Sequence, residues 1–222
     1  MKKQDQLLLL DVDPQARHEH DFYQTFRWQV GALYRRLNPN LVTPSTNILE
    51  PCAGELAIAR FLREQGLSVW TNDVIKREQP LDFHLDATRK RSWDAFDKQI
   101  AAVRGDARDG VGVDLSITNV PFKEAMSIVA IAYERSRLGV ITLLRSTWDE
   151  PTEDRQDWLK AHEDVPQIAM PRADYRGTGS SESASHYWFL FLKNPAVATF
   201  RIKSTVTREE RDELIRLYGG GH

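Results

Sequence analysis

From Phe26 the apolar positions recur at helical spacing, with Val30, Leu33 and Leu37 following, and Asn38, Pro39 and Asn40 stop the segment. After the turn-rich Thr43-Pro44-Ser45-Thr46, short apolar runs alternate with amphipathic stretches. Residues 47–50 read as a short buried strand ending at Pro51. Residues 56–65 read as a helix with Leu56, Ala59, Phe61 and Leu62 inward, closed by Gly66. Residues 68–72 form a second apolar strand, 81–85 a weaker third, and about 92–103 a helix. A turn-rich surface loop over 105–112 leads to a strand at 114–119, a strongly apolar helix at 123–137 and a buried strand at 138–144. Strand–helix alternation of this kind needs parallel pairing through right-handed crossovers, so the expectation is a doubly wound α/β sheet.

Beyond Arg145 the pattern changes. Residues 148–164 are polar and acidic and predict a loop with a short helix beside the sheet edge. Residues 167–170 and 186–193 read as two strands joined by the serine- and glycine-rich 177–185, which suits an antiparallel pair at the sheet edge. A last helix is announced by a capping box, Thr207 with Glu210 three residues on. The first 20 residues mix charges with a short leucine run and predict a flexible arm. Residues 21–222 then form one domain.

Composition narrows the chemistry. Of 222 residues 41% are apolar and 28% charged, as in an ordinary globular protein. Thirty basic against 32 acidic side chains, a net charge of −2, exclude nucleic-acid binding through bulk positive charge but leave room for a local basic face. The single cysteine, Cys52, excludes an internal disulfide and a multi-cysteine zinc site. His18, Glu19 and His20 read as a solvated arm, so no metal is expected. The leucine run at 7–10 falls far short of the roughly 20 residues that span a bilayer, and a reducing, cytoplasmic setting is the expectation.

Ligands of open α/β sheets sit at the carboxyl ends of the strands. Three segments fall there: Glu50-Pro51-Cys52-Ala53-Gly54, Thr71-Asn72-Asp73-Val74 and Thr118-Asn119-Val120-Pro121-Phe122. The Gly-x-Gly-x-x-Gly fingerprint and the Walker loop are both absent, which argues against a pyrophosphate. One glycine flanked by acids suits an adenosine without phosphates: Gly54 lets the backbone approach closely, and Asp73 is placed to accept two ribose hydroxyls. S-adenosyl-L-methionine has that shape.

Ile48-Leu49-Glu50-Pro51-Cys52-Ala53-Gly54 resembles the first motif of amino-directed DNA methyltransferases, and Ile117-Thr118-Asn119-Val120-Pro121-Phe122 resembles their Asn-Pro-Pro-Phe/Tyr catalytic motif. Asp21-Phe22-Tyr23-Gln24-Thr25 is similar to their N-terminal cofactor segment. Leu143-Leu144-Arg145 and residues 175–189 are similar to downstream elements of small, phage-type adenine-N6 methyltransferases. The motif order is their γ arrangement, and the likeness runs from about residue 21 to 193.

The resemblance implies a Rossmann-like class I fold with a mostly parallel seven-stranded sheet and an antiparallel edge strand, and a phage or mobile-element origin. It implies methyl transfer from S-adenosyl-L-methionine to adenine N6 of a base flipped out of double-stranded DNA. Tyr23, Thr25, Glu50, Pro51, Cys52, Ala53, Gly54, Asp73, Val74 and Asp86 would bind the cofactor. Asn119, Val120, Pro121 and Phe122 would form the catalytic motif, with Arg145, Arg172, Arg176 and Ser183 toward the substrate. Two residues depart from the pattern. Val120 stands where proline is usual, giving up a rigid φ while keeping the carbonyl the chemistry needs, and Phe26 stands where proline usually follows Thr25.

Plainer readings sit beside these. Asp86 also suits a helix cap, Cys52 a small filler, Arg172 and Arg176 a bare surface. Trp148 and Trp158 are placed to touch bases, whereas Trp188 belongs to an apolar strand. Related motifs act on cytosine N4, RNA guanine N2 or a glutamine amide, and a non-enzymatic homologue would keep the fold without turnover. About 30 residues after Lys193 leave no room for a separate target-recognition domain, so any sequence preference would be short, read by residues 148–164 and 175–185.

Overall fold

Strands β1 (Asn47–Glu50) and β3 (Leu115–Thr118) are buried at every position, as strands covered on both faces must be. The computed structural model describes residues 25–76, 78–104, 111–172 and 185–219. The expected arm at 1–20 and most of the loop at 105–112 lie outside the described residues. With β2 (Ser68–Thr71), β4 (Gly139–Arg145), β5 (Gln167–Ala169), β6 (His186–Leu192) and β7 (Lys203–Thr205), the strands form one seven-stranded sheet of order β2-β1-β3-β4-β6-β5-β7. The pairs β2/β1, β1/β3, β3/β4 and β5/β7 are parallel. Only β6 runs against its neighbours. The mostly parallel sheet with an antiparallel strand toward one edge is the architecture expected, with the short β7 added outside it.

Side-chain alternation sends successive residues to opposite faces. On one face Ile48, Ile117, Ile141 and Trp188 pack under α1 (Arg27–Tyr34), α2 (Ala57–Glu64) and α6 (Arg208–Tyr218), through Val30, Leu33, Phe61, Leu62 and Leu214. On the other, Leu49, Val140, Phe189 and Phe191 meet α3 (Lys90–Arg104) and α4 (Ala125–Arg135), through Trp93, Phe96, Ile100, Ile128 and Val129. Each such fully buried side chain contributes roughly 1.5–3 kcal/mol. Gly139, at φ +118°, opens β4 where a side chain would strike the Phe191 carbonyl, so only glycine fits.

Three expectations need correction. Residues 81–85 do not form a third strand: a single bridge, Asn72 to Phe83, is all that pairs. Side chains take the place of the ladder. Asp82 Oδ2 accepts from Thr71 N at 2.8 Å, and Asn72 Oδ1 accepts from Leu85 N at 2.8 Å. Nor is Trp148 available to a base, since it is buried against Phe189 and Phe191. Trp158, on α5 (Gln156–Ala161), stacks on His162 and packs on Tyr133 and Phe191. Thr207 caps α6 by accepting from Glu210 N, but the Glu210 carboxylate turns to Arg36 instead of closing the box.

Candidate active site

The segments after β1, β2 and β3 converge on a cavity of about 510 Å³ at the carboxyl ends of the strands. Its wall includes Thr25, Glu50, Pro51, Cys52, Ala53, Gly54, Asp73, Val74 and Asp86, together with Asn119, Val120 and Pro121. Phe122 lies just outside, opening a 3-10 turn at Phe122–Glu124. Tyr23, Arg176 and Ser183 lie outside the described residues. Arg172 is exposed beyond β5 and does not reach the cavity.

A buried asparagine ties the loops together. Asn72 Nδ2 donates to the carbonyls of Pro51 and Leu85, both at 2.9 Å, while its main-chain carbonyl accepts from Ala53 N at 2.8 Å. The neighbouring Asp73 accepts from Gly54 N at 2.8 Å with one carboxylate oxygen and from Ile75 N at 2.9 Å with the other. Gly54 reaches that bond at φ 47°, a left-handed conformation that glycine adopts without steric cost. Leu56, at φ 65°, is the only non-glycine residue with positive φ among the described residues, and it marks the bend from this loop into α2.

Five acidic residues, Glu50, Glu55, Asp73, Asp86 and Glu124, line the cavity against two basic ones, Arg89 and Lys123. Glu50 is buried and accepts from Ala59 N at 2.9 Å. Burial pushes its carboxyl well above the usual range, against the downward pulls of that N–H and of Arg63. Asp86 is held low, chiefly by the Thr88 hydroxyl at 2.5 Å, with the Thr88 N–H and Arg89 also contributing. It therefore both lines the cavity and forms the turn ahead of α3, so the two readings of this residue are not exclusive. Burial, with the charge of Asp73, keeps Cys52 a thiol, which suits a filler and not a nucleophile. A wall of this kind repels phosphates and favours a ligand carrying positive charge.

At the end of β3, Asn119 Nδ2 donates to the Thr25 hydroxyl at 3.1 Å. Phe26, in place of the usual proline, supplies an N–H that donates to Gln29 Oε1 at 3.0 Å, a bond proline cannot make. Val120 is 2% exposed and packs with Leu49, Ala125 and Ile128 in the core, which holds the backbone there without a proline ring. Phe122 stacks on His186 with centroids 5.9 Å apart, and the Arg145 guanidinium lies 4.5 Å from the centre of the same ring. Arg145 and His186 face each other across the β4/β6 pair. Burial, helped by Arg145, lowers the His186 pKa to about 4, so the imidazole is neutral near pH 7.

A candidate class I S-adenosylmethionine-dependent methyltransferase from Listeria monocytogenes aligns over 90% of this chain and 71% of its own, with 12% identity and a TM-score of 0.50. The fold is that of the class I methyltransferases. The M protein of the type I restriction enzyme EcoKI aligns over 82% of this chain and 46% of its own, at 12% identity and a TM-score of 0.48. A methyltransferase from Archaeoglobus fulgidus covers 75% of this chain and 94% of its own, at 12% identity and a TM-score of 0.44. No protein-family model and no curated protein matches the sequence. Among the described residues no cluster of His, Cys, Asp and Glu could hold a metal ion, and no helix is long and apolar enough to cross a membrane.

Within this methyltransferase fold, Asn72, Asp82 and His186 were not legible as site-building residues. Asn72 sits in a segment the pattern does single out, yet its side-chain bonds reach Pro51 and Leu85, 21 and 13 positions away. Nothing in a linear sequence marks such a reach.

Proposed function

We propose that the chain is an S-adenosyl-L-methionine-dependent DNA methyltransferase acting on the exocyclic N6 of adenine in double-stranded DNA, on a base turned out of the helix. One observation carries the reading: the candidate catalytic Asn119 and the acidic wall of Glu50 and Asp73 open on the same cavity. The residues fit the cofactor. Asp73 keeps acceptor capacity for ribose hydroxyls beyond its two backbone partners. Val74, 65% exposed at the rim, offers an apolar surface for a flat ring. Buried Glu50 would become an anion beside a cationic ligand. When bound, the cofactor supplies an electrophilic methyl carbon on a positively charged sulfur.

The chain's own residues act on the acceptor. An exocyclic amino nitrogen is a poor nucleophile because its lone pair is delocalised into the ring. The Asn119 side-chain oxygen and the Val120 carbonyl accept its two N–H groups, draw the nitrogen toward tetrahedral geometry and localise that pair. The same oxygens stabilise the positive charge that develops there, and one proton then leaves to solvent. Phe122, backed by Arg145 and His186, is the shelf for the extruded base, a contact worth roughly 1–3 kcal/mol. The sequence resemblance alone assigns Arg172 and Arg176 to the phosphates, Ser183 to the substrate and Tyr23 to the cofactor.

The test is to offer methyl-labelled cofactor to DNA, RNA and protein, and to identify the product by mass spectrometry after digestion. N6-methyladenine in DNA is the expected product. Label in N4-methylcytosine, N2-methylguanine or a glutamine amide would move the acceptor, and label nowhere would leave a binding protein without turnover.

A further inference from the structure

The Asn119 amide has two ends of nearly equal size and opposite hydrogen-bonding character, and half a turn of its last torsion exchanges them. Only the carbonyl end can accept from an amino group. With the NH2 end forward, donor would meet donor and the acceptor nitrogen would not be gripped. Something must hold the amide in one sense. Thr25, 6% exposed and 94 residues away in sequence, places its hydroxyl 3.1 Å from Asn119 Nδ2 and takes that N–H.

Thr25 is itself fixed. Immediately after it, Phe26 N donates to Gln29 Oε1 at 3.0 Å, inside the first turn of α1. Gln29 is fully buried, and its carbonyl accepts from Trp188 Nε1 on β6 at 3.0 Å. The start of α1 is thus tied to the sheet that carries the candidate catalytic motif, which fixes the backbone from which the threonine hydroxyl reaches the amide.

We propose that Thr25 is a positioning residue for Asn119, its hydroxyl holding the amide nitrogen so that Oδ1 is the end turned to the acceptor. The catalytic part of this inference rests on the methyl-transfer reading above, whereas the hydrogen bond does not. It gives Thr25 a role different from the cofactor contact that the sequence resemblance implies.

The test compares Thr25→Val, which keeps the shape and loses the hydroxyl, with Thr25→Ser, which keeps the hydroxyl. Thr25→Val should lower kcat roughly tenfold, the effect of one lost hydrogen bond, with the cofactor Kd within about twofold of wild type by calorimetry. Thr25→Ser should restore kcat. In parallel, the side-chain NH2 resonances of Asn119, assigned by their loss in Asn119→Asp, should move in Thr25→Val and not in Thr25→Ser. A weaker cofactor Kd with unchanged kcat would make Thr25 a cofactor contact and overturn the proposal. Unmoved Asn119 resonances in Thr25→Val would overturn it equally. If the wild type transfers methyl to no acceptor, the functional reading fails, and the resonances alone decide whether Thr25 orients the amide. Thr25→Ala replaces Thr25→Val if the latter does not fold.

Discussion

Glu50, buried in the wall of the candidate site, carries a measurable signature of that burial. Its carboxyl is raised by burial, so the folded protein holds that proton more tightly than the unfolded chain does. The stability this lends is fully present below the ordinary carboxylate pKa and is lost as pH rises through the elevated value. Thermal unfolding of the ligand-free protein across pH should therefore show a decline on the alkaline side of the carboxylate range that Glu50→Gln removes. A wild-type curve parallel to that of Glu50→Gln would mean that the carboxyl is not raised. A cationic ligand works in the opposite sense, favouring the ionised form, so cofactor affinity should rise with pH over the same window. Glu50, Asp73 and Asn119 stand out in the sequence because each falls at the carboxyl end of a short apolar run, where open α/β sheets hold their ligands. The partners that tune them are separated in sequence, and those pairings are not in the pattern: Ala59 N for Glu50, Gly54 N for Asp73, Thr25 for Asn119.

At the level of elements, strands covered on both faces announce themselves as short apolar runs, and β1 to β4 and β6 lie where those runs fall. The segment at 81–85 has the same look and behaves differently, because the Asp82 carboxylate caps Thr71 N and the Thr71 hydroxyl, both at 2.8 Å. A side chain has taken the place of a ladder bond, and hydrophobic pattern does not distinguish the two. Asp82→Ala leaves a buried N–H and hydroxyl without that acceptor, and should destabilise the protein by about 1–3 kcal/mol in denaturant unfolding. No measurable loss would show that Thr71 finds another partner and that the strap is dispensable. The three-residue β7 leaves no mark in the pattern for a different reason: it is too short and too polar to carry a period. Trp148, a tryptophan in an acidic stretch, reads as surface, whereas the 3-10 turn at Ser146–Asp149 folds it back onto β6.

On the scale of the whole molecule, the sheet delivers three loops to one end and the α1 start comes up beside them, so the proposed donor and acceptor sides meet where Asn119 stands. The Phe122, Arg145 and His186 cluster lies next to that point on the side of the β4/β6 pair, outside the cavity wall. In the proposed reading the cavity is the cofactor chamber and this cluster the acceptor shelf, with the Asn119 amide at their junction. The most direct measurement is the rate of methyl transfer to duplex DNA by wild type and by Asn119→Ala at saturating cofactor, with cofactor affinity measured alongside. The account predicts a loss of at least about 100-fold in rate with affinity essentially unchanged. An Asn119→Ala protein that methylates DNA as fast as the wild type would contradict it.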